Sequence, residues 1–365
     1  MAHIPVLLNE VLEYLDPKPG ENFIDCTVGD GGHALAILKM TAPSGMLLGI
    51  DRDAEMVKNL YERAESLGVG ERLLLHHGNF ADLGAIVQGH IFGPVSGVLF
   101  DFGLSSWQLD ESGAGFSFRN IEPLDMRFDR TRNTETAADI LNSWPEEALE
   151  RVIREFGEER YARQIAKEIA SARKRERIQT TDQLVGIILR AAPSSKAARK
   201  IHFATRTFQA LRIAVNEELR YVEEGIKEGI EALRPGGKIA AISFHSLEDR
   251  IVKHMFQKYS KRAEGPAFAP PASASRRRGE QSRGYGEAGG SPRLKIITKT
   301  RKKYDRRIAK KTKNDDRRLS HRPWRMRIRV FPVVCLRGAR YLKTEPSNGA
   351  NRESHSETKE YVYGA

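Results

Sequence analysis

The sequence predicts an α/β fold: a largely parallel, Rossmann-like sheet that carries an inserted helical domain. Three observations predict it. Asn22 to Asp53 reads as strand, glycine loop, helix, strand. Apolar strand-like runs alternate with helix-periodic stretches as far as Asp101, and another such run begins at Lys238. Between these halves, Thr134 to about Ala192 is helix-periodic with no strand in it. Such alternation places parallel strands between helices, and ligands then bind beyond the carboxyl ends of the strands.

The elements follow in order. Val6, Leu7, Val11, Leu12 and Leu15 recur at helical spacing, so Pro5 to Leu15 is a short amphipathic helix, ended by Pro17 and Pro19-Gly20. Phe23, Ile24 and Cys26 form the first strand; Gly29-Asp30-Gly31-Gly32 is the loop; His33 to about Met40 is the helix. Met46 to Ile50 is the second strand. Asp53 caps a helix running to about Leu67, with Met56, Val57, Leu60 and Ala64 on one face. Leu73 to His76 is the third strand, closed by Gly78-Asn79-Phe80, and Ala81 to Val87 is a short helix. Val95 to Phe100 is the fourth strand, ending at Asp101. Phe102 to Arg132 reads as loop. After the strand-free helices, Ala204 to Leu233 is one more helical stretch, broken by Pro235-Gly236-Gly237. Lys238 to Phe244 is the fifth strand and Leu247 to Tyr259 a helix. Arg293 to Lys299 and Arg325 to Cys335 are candidate strands. The Pro-, Gly-, Ser- and Arg-rich run from Ala263 to Pro292 reads as a flexible loop, and Thr344 to Ala365 as a disordered end. Four units result: 1–102 and 216–300 build the core, 103–215 is the insert, and 301–365 is a basic, poorly ordered tail.

Composition narrows the class. A chain of 365 residues with 40% hydrophobic and 30% charged residues suits a globular protein of two domains, or of one with a large insertion. No apolar run approaches the roughly 20 residues of a membrane span, and the first residues lack a signal-peptide pattern. Two cysteines, Cys26 and Cys335, make neither a disulfide framework nor a zinc site, so no metal is expected and a reducing cytoplasm is. Of the net charge of +12, more than the whole lies in one segment: Arg293 to Lys343 holds 20 Lys and Arg against 3 acidic residues. The basic character therefore belongs to the tail, and the remainder is net acidic.

The loop after the first strand selects a ligand class. Glycines let a backbone approach a ligand closely, and the following helix aims its first N–H groups at the same place. An acid at the end of the second strand, Asp51, can accept both hydroxyls of a ribose. A dinucleotide site would read GxGxxG, which is absent, and Asp30 inside the loop would repel a phosphate. S-adenosylmethionine has a ribose, an amino group and a sulfonium charge, and no phosphate. The loop favours that donor over a nicotinamide dinucleotide; the plainer alternative is an ordinary strand–turn–helix.

At this point the chain resembles a known family. HIPVLLNEVLEYL, DCTVGDGGH, GIDRDAEM, HGNFADL, LFDFGLSSWQLD, GFSFRNIEPLDMRFD, GEERYARQIAKEI, HFATRTFQALRIAVNEEL and LRPGGKIAAISFHSLEDRIVK, spread over residues 3 to 254, are similar to those of the RsmH/MraW family of bacterial 16S rRNA cytosine-N4 methyltransferases. The resemblance implies an S-adenosylmethionine-dependent methyltransferase sheet with a helical insert. It implies transfer of a methyl group to N4 of a cytidine in the decoding region of 16S rRNA, within the small ribosomal subunit. Donor contacts carried over are Gly31, Gly32, His33, Asp51, Phe80, Asp101 and Gln108. The tail departs from the family's pattern, with basic residues where an acidic helix is usual. A homodimer is compatible with this reading, and the sequence does not fix the oligomeric state.

Several residues keep two readings. Asp101 is either the acceptor of the cytosine amino hydrogens, and so catalytic, or a donor contact. His245, after the fifth strand, is a second catalytic candidate or a structural hydrogen-bonding group. Phe116, with Phe118 and Arg119 beside it, can stack on a splayed base or anchor the insert. Arg206, Phe208 and Arg212 share a helix near the mouth of the site as RNA contacts or as packing. Two rival functions remain. One is an amino-methyltransferase acting on another nucleic acid, against which stands Asp101-Phe102-Gly103-Leu104 where DNA enzymes show a D/N-P-P-Y/F motif. The other is a non-catalytic rRNA-binding assembly factor, which would bind no donor.

Overall fold

The computed structural model describes residues 5–191, 204–261 and 329–331. Its first half alternates strictly: α1 (Leu8–Leu15), β1 (Asn22–Asp25), α2 (Gly32–Met40), β2 (Leu47–Asp51), α3 (Ala54–Ser66), β3 (Leu73–His77), α4 (Leu83–Gly89) and β4 (Val95–Asp101). The insert follows with α5 (Ser106–Asp110), α6 (Ala137–Ser143), α7 (Glu146–Glu155), α8 (Ala162–Ala172), α9 (Thr181–Ala191) and α10 (Thr205–Asn216). The chain returns to the sheet through α11 (Glu218–Ala232), β5 (Leu233–Ser243), α12 (Ser246–Lys261) and β6 (Arg329–Phe331). The sheet order is β3-β2-β1-β4-β5-β6. β1 to β5 are parallel, and β6 runs antiparallel against β5. The expected α/β fold is thus the observed one, with its switch point between β1 and β4.

Strands β1 to β5 each serve two cores because neighbouring side chains face opposite sides of the sheet. Ile24, Ile50, Val98, Phe100 and Ala241 pack with α4, α11 and α12 on one face. Phe23, Leu47, Leu99, Ala240 and Ile242 pack with α1, α2 and α3 on the other. Each of these Val, Leu, Ile and Phe side chains, fully buried, is worth about 1.5–3 kcal/mol relative to exposure. A third core lies wholly within residues 114–215 and includes Leu124, Met126, Ile140, Leu149, Ile165, Leu184 and Leu211.

Three local expectations change. The stretch from Ala204 to Leu233 is two helices, parted at Glu217, whose backbone is left-handed at φ 47°. At the break the fully buried Asn216 ties α10 to the loop: its side chain bonds Met126 O at 2.7 Å, Phe128 N at 2.9 Å and Arg212 O of its own helix at 2.9 Å. The fifth strand begins at Leu233 and runs through Pro235-Gly236-Gly237 as an irregularity opposite Ser96, whose hydroxyl accepts a bond from Arg234 at 2.9 Å. The loop after Phe102 contains α5, closed by a capping box between Ser105 and Gln108. The candidate strand Arg293–Lys299, the loop 263–292 and the C-terminal end from Thr344 lie outside the described residues, whereas β6 falls within the candidate strand Arg325–Cys335. Among the described residues, no helix is long and apolar enough to cross a membrane.

Candidate active site

The carboxyl ends of β1, β2, β4 and β5 open onto one pocket of about 390 Å³. Its first wall is the glycine loop. Gly29 and Gly31 both have positive φ, 46° and 76°, conformations that favour glycine. A Cβ on Gly31 would collide with Leu60, and one on Gly32 would press on Pro5 at 3.0 Å. The loop is pinned from β2: Asp51 Oδ2 accepts Gly29 N at 2.8 Å, and Oδ1 accepts Asp53 N at 2.9 Å. Asp53 in turn caps α3 by accepting from Glu55 N and Met56 N. Burial pushes the Asp51 carboxyl up to about 6, against the pull of those amides.

His33 opens α2 and is buried. Its Nε2 lies 2.9 Å from Val6 O, so that nitrogen carries the proton, because a carbonyl can only accept. This bond brings Pro5 and Val6 over the loop, where both line the pocket. Nδ1 of His33 faces Asp101 Oδ2 at 3.8 Å. Asp101 ends β4, its backbone N held by Thr27 Oγ1 at 2.7 Å. Its carboxylate is 21% exposed, and Oδ1 has no hydrogen-bond partner. Burial, with Asp25 and Glu248 nearby, pushes this carboxyl well above the usual range. Asp25, at the end of β1 and buried, is pushed up to about 7 by burial and by Asp51, in spite of its bond from Thr27 N.

Phe80 follows β3 and forms an apolar wall, edge-on to Phe100 at 5.7 Å and at 60° to Phe102 at 5.9 Å. Gly225 of α11 lies against its ring, where a Cβ would collide. Gln108 lines the pocket with its amide already engaged. Its Oε1 accepts Ser105 N at 3.1 Å, completing the cap of α5, and its Nε2 donates to Asp53 Oδ2 at 3.4 Å. It thereby ties the start of the insert to Asp53, two residues after Asp51.

The opposite wall comes from the insert and from α10–α12. Phe116 is buried and stacked on Phe128 at 5.4 Å, with one edge in the pocket. Arg212 and Glu218 form a buried bidentate pair at 2.8 and 2.9 Å. Burial works to lower the Arg212 guanidinium, but Glu218 outweighs it and holds it above its usual range. His245 and Glu248 form a second pair, with Nε2 3.1 Å from Oε1, while Glu248 Oε2 accepts Phe244 N at 2.7 Å. Burial alone would raise the Glu248 carboxyl; His245, Arg212 and the backbone amide reverse this and hold it low. Glu218, His245 and Glu248 offer three ligand atoms within 4.8 Å of one another, a spacing compatible with a metal ion. Arg212 already engages both Glu218 oxygens, so a cation there would have to displace a guanidinium.

Of the residues singled out in the sequence, Gly32, His33, Asp51, Phe80, Asp101, Gln108, Phe116, Arg212 and His245 line this pocket together. Gly31 lies beneath the loop against Leu60. Phe208 is 2% exposed in the insert's core, edge-on to Phe118 at 5.3 Å. Arg206 is directed at the α7–α8 turn, where it donates to Glu158 O at 3.1 Å. The pocket also contains residues that the sequence did not single out. Arg52 lies between two rings, 5.3 Å from Phe128 and 5.0 Å from Tyr221, and donates to Asn216 O at 3.2 Å. Glu218 and Glu248 are the buried partners described above. Arg52 stands inside GIDRD and Glu248 inside SFHSLEDR, so their motifs were visible although their roles were not.

The comparisons with known proteins agree with this geometry. The model of the MraW methylase family matches residues 1–282. A ribosomal RNA small subunit methyltransferase H from Syntrophotalea carbinolica is 48% identical over 277 residues, covering 76% of this chain and 87% of that one. The protein of the same name from Pelobacter propionicus is 47% identical over 297 residues, covering 81% and 90%. A family match spanning most of the chain, joined to a pocket built from the very segments that carry the resemblance, leads to one conclusion: the chain belongs to the MraW methylase family.

Proposed function

We propose that this protein transfers a methyl group from S-adenosylmethionine to the N4 amino group of a cytidine in the decoding region of 16S rRNA, acting on the small ribosomal subunit in the cytoplasm. The observation that carries the reading is Asp101: a carboxylate at the end of β4 that lines the pocket with the glycine loop on one side and Arg212 and Glu218 on the other, and is 21% exposed there.

The residues present fit the donor. The loop brings backbone close to it where side chains would obstruct, Asp51 stands where a ribose would sit, and Phe80 offers an apolar flank. Asp30, Asp51 and Asp101 line a pocket suited to a positively charged molecule and hostile to a phosphate. When bound, S-adenosylmethionine supplies a methyl group on a positively charged sulfur. A cation beside Asp101 favours its ionised form, offsetting the burial that disfavours it. The ionised carboxylate then accepts a hydrogen of the cytosine amino group and draws the nitrogen lone pair out of the ring. Methylation of N4, with the carbon–sulfur electron pair returned to sulfur, would release one N4 proton, and the Asp101 carboxylate is placed to take it. Holding nucleophile and methyl in line supplies much of the rate. His245 is held against Glu248 and buttresses the acceptor wall. Phe116 and Arg212 border the space left for the base.

Incubating the protein with donor and undermethylated small subunits, then analysing nucleosides by mass spectrometry, tests this. N4-methylcytidine at one decoding-region position is expected, and Asp101→Asn should abolish it. A methylated adenine or DNA base would refute the acceptor, and calorimetry showing no donor binding would refute catalysis altogether.

A further inference from the structure

Arg206 of α10 and Ser246 and Arg250 of α12 come from different parts of the chain and converge on one residue, Glu158: Ser246 and Arg250 on its carboxylate, Arg206 on its carbonyl. Ser246 Oγ donates to Glu158 Oε2 at 2.7 Å, Arg250 donates to Oε1 at 3.1 Å, and Arg206 donates to the Glu158 carbonyl at 3.1 Å. The turn that presents Glu158 is specialised. Gly157 lies so close to the backbone of Arg206 that a Cβ would stand 2.6 Å from its carbonyl oxygen. Glu158 itself is a non-glycine residue at φ 48°. The Ser246 bond, with Arg250 and Arg206 nearby, holds the Glu158 carboxyl below its usual range despite partial burial.

The cluster sits at the rim of the pocket. Ser246 directly follows His245, and Arg206 lies one helical turn before Gln209, both pocket residues. Glu158, Arg206 and Arg250 are all substantially exposed, so this carboxylate is replaceable without opening a core. A guanidinium and a hydroxyl on one oxyanion, with a second guanidinium close by, are also what binds an RNA phosphodiester, which carries the same single charge. Glu159, 3.8 Å from Arg206, is the other acid present, and its Oε1 is used by Tyr161 N.

We propose that Arg206, Ser246 and Arg250 form a phosphate subsite for the RNA strand whose base enters the pocket, and that Glu158 occupies it in the free protein until the phosphate displaces it. This rests on the RNA reading above and adds where the backbone is gripped. Glu158 thereby acts as an internal competitor, so binding at the rim is selective for a strand that brings a phosphate to this point.

The test is RNA affinity, with a labelled decoding-region RNA fragment titrated at several salt concentrations. Glu158→Gln removes the competing charge and keeps the side-chain length. Its RNA affinity should rise roughly two- to fivefold, the scale of an exposed ion pair. Arg250→Ala should lower affinity by a similar factor and flatten the salt dependence by about 0.7 in log–log slope, the value for one phosphate of a single strand. In the Arg250→Ala background the gain from Glu158→Gln should shrink. Unchanged or weaker RNA binding by Glu158→Gln, with the melting temperature of the unsubstituted protein, would overturn the subsite and leave Glu158 as a joint between insert and core. If Glu158→Gln melts early, Arg250→Ala decides alone: an unaltered salt slope overturns the proposal, and a flatter one upholds it. Absence of RNA binding by the unsubstituted protein would sink the RNA reading itself, a result distinct from a wrong-signed Glu158 effect.

Discussion

Asp51 Oδ2 accepts the backbone N–H of Gly29 at 2.8 Å. One carboxylate at the end of β2 therefore shapes the glycine loop after β1 and also stands where the donor ribose is proposed to bind. Loop geometry and ligand contact are not separable at this residue. The free protein already spends both oxygens on backbone amides, Gly29 and Asp53, so the carboxylate is fixed before any ligand arrives.

Replacing Asp51 by Ala should accordingly weaken donor binding. Hydrogen bonds to a charged group are worth about 1.5–3 kcal/mol, so the loss should be roughly 10- to 100-fold in Kd. Asp51→Asn should recover little, because its amide side offers a donor where Gly29 or Asp53 also donates. Calorimetric titration with S-adenosylhomocysteine measures both. An unchanged Kd in Asp51→Ala would remove this residue from the donor site.

The acids at the strand ends give a pH dependence whose sign can be worked out. Asp25 is pushed to about 7 and Asp51 to about 6 in the folded protein, both above 3.8. A carboxyl with a raised folded pKa contributes stability that is full below the unfolded value and lost as pH rises through the folded one. The free protein should therefore lose stability between about pH 4 and pH 7 from these two groups. For Asp25 the shift corresponds to a few kcal/mol, on the order of 4. Donor affinity should run the other way, strengthening as Asp51 ionises through about 6. Melting temperatures across this range, with and without donor, report both trends, and Asp25→Asn should flatten the first. A free protein whose stability rises over this window in step with that of Asp25→Asn would contradict the assignment.

Arg212 and Glu218 are a buried bidentate pair, so removing one member leaves a charge without its partner. Arg212→Ala should cost about 3–5 kcal/mol of stability in chemical denaturation. Arg212→Met combined with Glu218→Leu should cost less than that single substitution, because Glu218 is no longer left as a buried charge without its partner. A double variant no more stable than Arg212→Ala would mean that the pair contributes more than the pairing of Glu218, the support that Arg212 gives to Glu248 included.

The sequence carried the α/β fold because Phe23, Ile24, Leu47 and Leu48 sit in short apolar runs closed by Asp25 and Asp51 at strand ends. The placement of Asp51 and Asp101 follows from that pattern and parallel pairing alone. Other features depend on which face of a helix meets which partner. Phe208 and Arg212 stand on the same helix four residues apart, yet the first is in the insert's core and the second lines the pocket. Gln108 shows the opposite case: Ser105-Ser106-Trp107-Gln108 spells a capping box in the sequence, and its amide is engaged by that cap. Arg52 between Phe128 and Tyr221 joins residues far apart in the chain, and no local spacing announces it.

The basic segment raises the last prediction. Arg329–Phe331 pairs antiparallel with Ala241–Ser243 and forms the outer strand beside β5. Without it, β5 becomes the edge and exposes unpaired backbone groups on its open side. Truncation after Thr300 removes both this strand and most of the positive charge between Arg293 and Lys343. Changing Lys302, Lys303, Arg306 and Arg307 together to Ser removes charge and leaves the strand. The truncated protein should melt earlier and bind RNA more weakly. The four-Ser variant should keep its melting temperature and show a flatter salt dependence, by about 0.7 for each single-strand phosphate that the protein no longer neutralises. Because phosphate contacts carry no base information, the methylated position should not move in either variant. A salt slope unaltered by the four substitutions would deny the segment any part in RNA affinity and leave β6 as its one structural contribution.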